Sequence, residues 1–373
     1  MAKKIARRLH DPIKDKLAPI YPLDLSRLHS IDDLVRAMGR TAFTAREVGD
    51  AADVLEAMVR DRECFVVLTL SGAMTVAKMG LVICDLIDSG AVQAIVSTGA
   101  LMAHGLVEAT GRSHFRYDEK MNDAELFLAG YNRVYDSLEP EINLDHVEKV
   151  LQAIFRGWNP NEAVCSWKLN RRIGEYLARA GGKPRRRRGK RGILRSAYER
   201  GVPVFVPAFT DSELGIDFAL EMREREGSGQ VKLRYDPFDD FDYFTTTLAR
   251  QKRLGIFTIG GGVPRNWSQQ FGVYIELLVR RGLVKMPLKR YRYGVRICPE
   301  PAHWGGLSGS TYAEAISWGK FLPLEEGGRF AEVLEDATVA LPLVVGSVLE
   351  RLGYFSRGAG GARGRKLRRS GRL

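Results

Sequence analysis

Short apolar runs rich in β-branched residues alternate along this chain with longer stretches in which apolar residues recur at helical spacing. Phe65-Val66-Val67-Leu68-Thr69 is apolar almost throughout, as expected of a strand covered on both faces. Residues 74–87 then carry apolar positions at helical spacing and stop near Ser89-Gly90. Residues 92–96 predict a second strand, and residues 101–109 the helix that follows it. Residues 203–207, 255–259 and 294–298 read as further strands, and each except the last is followed within a few residues by a helical segment. This alternation predicts an α/β fold, a doubly wound, mostly parallel sheet of Rossmann-like type. Ligands of such sheets bind outside the carboxyl ends of the strands.

At 373 residues, 45% hydrophobic and 27% charged, the chain can bury a full core, as one large domain or two. No apolar run approaches the roughly 18 residues of a membrane helix. The start, Met1-Ala2-Lys3-Lys4-Ile5-Ala6-Arg7-Arg8, is basic but lacks the apolar core of a secretory signal. Cys64, Cys84, Cys165 and Cys298 stand far apart and form no C-x-x-C pair. They predict reduced thiols in a cytoplasmic protein, with neither a disulfide framework nor a metal site. The net charge of +12 suggests nucleic acid until it is located. Seven basic residues crowd into residues 183–191, and seven more into residues 357–373. Setting those fourteen aside leaves −2 on the remainder. The basicity therefore belongs to one loop and one tail, which are expected to be solvated, with RNA or an acidic partner a side reading.

Three small-residue loops each follow a predicted strand: Ser71-Gly72, Thr98-Gly99-Ala100 and Gly260-Gly261-Gly262. Small residues there let a backbone approach a phosphate, whose charge the next helix N-terminus favours. None is a G-x-G-x-x-G, and any one alone would be an ordinary turn. A different chemistry is suggested by Trp318-Gly319-Lys320, preceded by Glu314-Ala315-Ile316-Ser317. An apolar wall destabilises an ammonium and lowers a lysine's pKa from about 10.4. A neutral amine can then attack an imine or carbonyl. The plainer alternative is a lysine that only rests its methylene stem on the indole.

Residues 314–320 closely resemble the E-A-V-S-W-G-K box of the deoxyhypusine synthase family. Other segments resemble that family in the same order. They are Phe43-Thr44-Ala45-Arg46-Glu47-Val48-Gly49, Thr69-Leu70-Ser71-Gly72-Ala73, Val96-Ser97-Thr98-Gly99-Ala100, residues 207–215, Gly260-Gly261-Gly262-Val263 and Glu335-Asp336-Ala337. The resemblance implies an NAD-dependent transferase that moves a 4-aminobutyl group from spermidine to an acceptor amine. Lys320 would be the covalent catalyst, Trp318 the wall against the polyamine chain and Glu314 a carboxylate for an amine. Ser317 and Gly305 complete the implied substrate set, with Asp217 and His104 as substrate candidates at positions where the chain departs from the family. For NAD the matching positions are Ser71, Gly72, Ala73, Met74, Thr75, Thr98, Gly99, Ala100, Asp211, Gly261, Asp336 and Ala337. An aspartate placed like Asp211 can also be a plain N-cap.

The departures fall where the family holds amines. A family aspartate is Leu307, another is Ile216 with Asp217 one residue late, a histidine is Asn266, and a glutamate pair is Ala103-His104. Glu213 stands near enough in sequence to restore part of the charge. Fewer anions weaken the grip on a polycation. The acceptor is therefore open between a protein lysine and a small diamine such as putrescine, and a non-catalytic NAD- or RNA-binding relative is the rival class. The resemblance also implies a homotetramer with sites at dimer interfaces. The expected organisation is an irregular N-terminal arm over residues 1–42, a catalytic domain over 43–355 and a disordered basic tail over 356–373.

Overall fold

A computed structural model describes residues 9–180 and 191–355. The basic tail and most of the basic loop lie outside the described residues. The strands are β1 (Cys64–Leu70), β2 (Ala94–Ser97), β3 (Phe115–Arg116), β4 (Tyr131–Val134), β5 (Ser137–Pro140), β6 (Val204–Phe205), β7 (Arg253–Ile259), β8 (Tyr293–Ile297) and β9 (Arg329–Val333). Six of them form one sheet in the order β6-β2-β1-β7-β8-β9, and every pairing in it is parallel. Chain order runs outward to one side from β1 and to the other from β7, so the direction of winding switches between these two central strands.

The sheet is covered on both faces, as its apolar strands require. In β1, Val66, Leu68 and Leu70 point into one core while Phe65 and Val67 point into the other. The first core is closed by helices that include Phe43–Arg60, Gly80–Ser89, Gly99–Ala109, Glu141–Arg156 and Ala337–Arg351. The second is closed by Pro237–Ala249, Gly262–Arg280 and Tyr312–Ser317. Each fully buried Leu, Ile or Phe in these layers contributes about 1.5–3 kcal/mol. The doubly wound parallel sheet is thus the observed architecture. Between β1 and β7 the contact is also polar, because the buried Thr69 and Thr258 hydroxyls hydrogen-bond at 2.9 Å.

Several local expectations are corrected. The helix expected over residues 74–87 begins only at Gly80; residues 74–79 form a separate turn that ends with Lys78 at φ 64° and Met79. A left-handed residue cannot continue a right-handed helix. The segment read as an irregular arm contains the helix Ile31–Met38, which packs on Ala337–Arg351. Asp32 anchors it, accepting from Ser347 Oγ at 2.8 Å and Arg351 Nε at 2.5 Å. Strand β9 and the small antiparallel sheet β3-β5-β4 were not anticipated. Arg191, assigned above to the solvated basic run, is a part-buried clamp on Asp85 (2.8 Å) and Asp88 (2.7 Å) of Gly80–Ser89. All four cysteines are buried and none is in a disulfide, and no described helix is long and apolar enough to cross a membrane.

Candidate active site

The strand ends bring the three small-residue loops to one edge of the sheet. Ser71 follows β1, Thr98 follows β2 and Gly260 follows β7. Ser71 latches two of the loops across the switch in winding. Its Oγ donates to the Ile259 carbonyl at 3.2 Å and accepts from the Gly261 N–H at 2.8 Å. Close packing dictates glycine at two positions. A Cβ on Gly261 would stand 2.5 Å from Ser308 Cα, and one on Gly99 would stand 2.2 Å from Ser212 Oγ.

Other candidates on this edge fall into distinct environments. Gly72 and Ala73 are exposed, and Ala100 is half-buried. Met74 and Thr75 bury their side chains, Thr75 donating to the Leu101 carbonyl at 3.0 Å. Asp336 caps Ala337–Arg351 by accepting from Thr338 N–H at 2.8 Å. Asp211 is not a cap: Ser212 holds that place on the helix Glu213–Gly227, which leaves the exposed Asp211 carboxylate facing solvent.

Lys320 lies in a separate cleft of about 280 Å³. One wall is the first half of Gly262–Arg280, presenting Arg265, Asn266, Gln269 and Gln270; the other comes from Leu307, Ser310, Glu314 and Trp318. The Lys320 ammonium nitrogen donates to Asn266 Oδ1 at 3.0 Å and sits 5.7 Å from the centre of the Trp318 ring. Burial lowers the lysine pKa, the Arg265 guanidinium lowers it further, and Glu314 opposes both. Glu314 is at once a cleft residue and the third-position glutamate of a capping box with Thr311. Arg265 is almost wholly buried; its Nη1 donates to the Ser310 carbonyl at 2.7 Å, while Nε and Nη2 find no acceptor. Placing that charge behind Lys320 is a feature that the sequence reading did not single out.

The remaining substrate candidates are elsewhere in the chain. Ser317 donates to the Glu314 carbonyl at 2.6 Å on the outside of the short helix, and Gly305 is an exposed turn residue at φ 74°. His104 Nδ1 is 3.1 Å from Glu139. Asp217 stands on Glu213–Gly227, where burial, then Glu148 and Glu213, raise its carboxyl to about 7. Neither His104 nor Asp217 lines the Lys320 cleft.

Comparison with known proteins places the chain in a family and supports its fold. The sequence model of the family described as deoxyhypusine synthase matches residues 33–348. The chain belongs to the deoxyhypusine synthase family. A protein of Methanosarcina acetivorans named probable deoxyhypusine synthase 2 is 33% identical over 334 residues, 89% of this chain and 90% of that one. A deoxyhypusine synthase-like protein of Chlorobaculum parvum is 33% identical over 340 residues, 91% of each. Among solved structures, a candidate deoxyhypusine synthase from Entamoeba histolytica superposes with a TM-score of 0.56 at 15% identity. It covers 88% of this chain and 96% of its own, a likeness of fold.

Proposed function

We propose that this protein is an aminobutyl transferase that uses Lys320 as a nucleophile, with NAD as cofactor and spermidine or a related polyamine as donor. The observation that carries the reading is Lys320 itself, a half-buried lysine whose ammonium is disfavoured by burial and Arg265, held by Asn266 beside an indole. As a free amine, Nζ attacks the carbon of the oxidised donor. The C–N bond to diaminopropane breaks, and the four-carbon unit remains on Lys320 as an imine. An acceptor amine then adds to the same carbon and releases Lys320 as a free amine. Asn266 orients Nζ, Trp318 gives the methylene chain an apolar wall, and Glu314 offers a carboxylate to an ammonium.

NAD, when bound, supplies the hydride acceptor at the start and the hydride donor at the end, so the net reaction is a transfer. The residues fit that cofactor. The Ser71–Gly261 latch, the close-packed Gly99 and the free Asp211 carboxylate all lie beyond carboxyl strand ends, where a dinucleotide's backbone and hydroxyl contacts belong. Ser71 to Thr75, Thr98 to Ala100, Asp211, Gly261, Asp336 and Ala337 are the positions that would hold it, Met74 and Thr75 through their backbones.

The anion supply favours keeping a second acceptor in view. Leu307 and Asn266 stand in the cleft and Ile216 is exposed, so Glu314 is the one carboxylate among the cleft residues. Within this reading, Asp217 and its neighbours join the site when copies of the chain assemble as the homotetramer the family suggests, in the cytoplasm. A small diamine is then an acceptor alongside a protein lysine. The test is to supply the pure protein with spermidine, NAD and labelled putrescine, with and without the hypusine-type translation factor. Diaminopropane release dependent on NAD is expected, and its absence overturns the reading. Labelled homospermidine formed without the factor selects the diamine, and transfer only to the factor selects the protein lysine.

A further inference from the structure

Outside the Lys320 cleft the molecule holds a buried polar cluster to which the reaction proposed above assigns no step. His104, in the middle of Gly99–Ala109, Glu139, in β5, and His114, just before β3, bring their ligand atoms within 4.8 Å of one another. Glu139 Oε2 stands between the imidazoles, 3.1 Å from His104 Nδ1 and 2.5 Å from His114 Nε2. The side chains of Glu139 and His114 are each 1% exposed and that of His104 is 13% exposed. The two rings meet edge to face, 5.6 Å between centres.

The short contact between His114 and Glu139 is the informative one. At 2.5 Å it is shorter than an ordinary N–H···O bond, and Nε2 makes no hydrogen bond of regular geometry. A buried imidazole nitrogen left in that state is costly unless another partner takes it up. Two imidazole nitrogens and a carboxylate oxygen gathered this closely in the interior are a set of ligands that one cation could share. We propose that His104, His114 and Glu139 form a site for a divalent transition-metal ion of the zinc class.

The donor set fits. Two imidazoles and one carboxylate are a usual complement for Zn²⁺, with a fourth position left for water. Ligand atoms around a tetrahedral ion lie about 3.3–3.5 Å apart, given metal distances of about 2.0–2.2 Å, so the cluster needs to open by less than about 1 Å at its closest contact. The supporting groups are also in place. Asn143 Nδ2 donates to Glu139 Oε1 at 2.6 Å and also to the Ser113 carbonyl at 3.0 Å, which fixes the carboxylate's orientation. Glu108 Oε1 is 3.8 Å from His114 Nδ1, the acceptor needed once that nitrogen carries the ring proton. Lys78, half exposed, lies 2.5 Å from Glu108 and 2.9 Å from His114 Nδ1. It keeps its pairing with Glu108 when the metal takes Nε2 and the proton moves to Nδ1. The bound ion would tie the helix that follows the Thr98 loop to the small antiparallel sheet.

The experiment uses the full chain without an affinity tag, stripped with a chelator and titrated with Co²⁺ and then Zn²⁺. One equivalent of Co²⁺ should give visible ligand-field bands of a four- or five-coordinate site, which Zn²⁺ abolishes. His104→Asn, at the least buried ligand, should weaken binding by more than a hundredfold, and Asn143→Ala by roughly 10–100-fold, each with unchanged circular dichroism. Should His104→Asn fail to fold, Glu139→Gln serves as the ligand variant, because it keeps the carboxylate's shape. Wild-type protein without the bands, or bands that survive loss of a ligand, would overturn the assignment.

Discussion

Lys320 and Asp217 both have pKa values shifted toward their neutral forms, but by neighbours of opposite sign. At Lys320 burial disfavours the ammonium and the Arg265 guanidinium adds to it, against the pull of Glu314. At Asp217 burial disfavours the carboxylate, and Glu148 and Glu213 add to it until the group titrates near 7. One surface therefore eases the loss of a proton from an ammonium, while the other gathers acids whose charge a bound ammonium would relieve. A polyamine transferase needs both, a neutral nucleophile and an anionic grip on its substrate. Within a single chain the two surfaces remain separate, since neither Asp217, Glu148 nor Glu213 lines the cleft.

The largest effect that could break this comparison is at the nucleophile. Lys320→Arg keeps the positive charge but cannot form the imine, so the rate of aminobutyl transfer should fall by at least about a thousandfold, some 4 kcal/mol in the barrier. Transfer at the wild-type rate would remove Lys320 from the chemistry. Next in size is Asn266→Ala, which deletes the 3.0 Å bond to Nζ. The loss of one such bond, about 1–1.5 kcal/mol, predicts roughly a tenfold fall in kcat.

Asp217→Asn probes the acidic surface through stability rather than rate. A carboxyl raised to about 7 in the fold, against about 3.9 when unfolded, binds its proton more tightly in the native state. Stability is then lost as pH rises from about 4 to about 7. At pH 8 the variant should be more stable by on the order of 2 kcal/mol, allowing for partial solvation, and at pH 4 unchanged. Urea unfolding at the two values would show it, and an equal effect at both would deny that Asp217 is electrostatically strained. The smallest effect is a pair of opposed shifts in the rate profile. Arg265→Gln should move the alkaline rise in transfer rate to higher pH and Glu314→Gln to lower pH, the reverse of their present influences on Lys320.

How much of this was legible in the sequence depended on how local the signal was. Strand β1, seven residues buried throughout, and the loop following it could be read directly because both burial and turn chemistry are written in consecutive residues. The box at 314–320 was legible for the same reason. The wall facing it was read only at Asn266; Arg265, Gln269 and Gln270 converge on the lysine because Gly262–Arg280 packs there, a tertiary fact with no local signature. Arg191 looked like one more charge in a basic run until the fold set Asp85 and Asp88 against it. The cluster of His104, His114 and Glu139 was invisible for similar reasons, since its members come from a helix, a loop and a short strand at no metal-binding spacing.

The central claim is that the Lys320 amine becomes covalently bonded to the transferred group. Borohydride added to the protein with spermidine and NAD should reduce that imine and fix a four-carbon amine to one residue. Mass spectrometry of the digest is expected to place the adduct on Lys320, and only when both spermidine and NAD are present. An adduct on another lysine, or active protein that carries none after borohydride, would contradict the account.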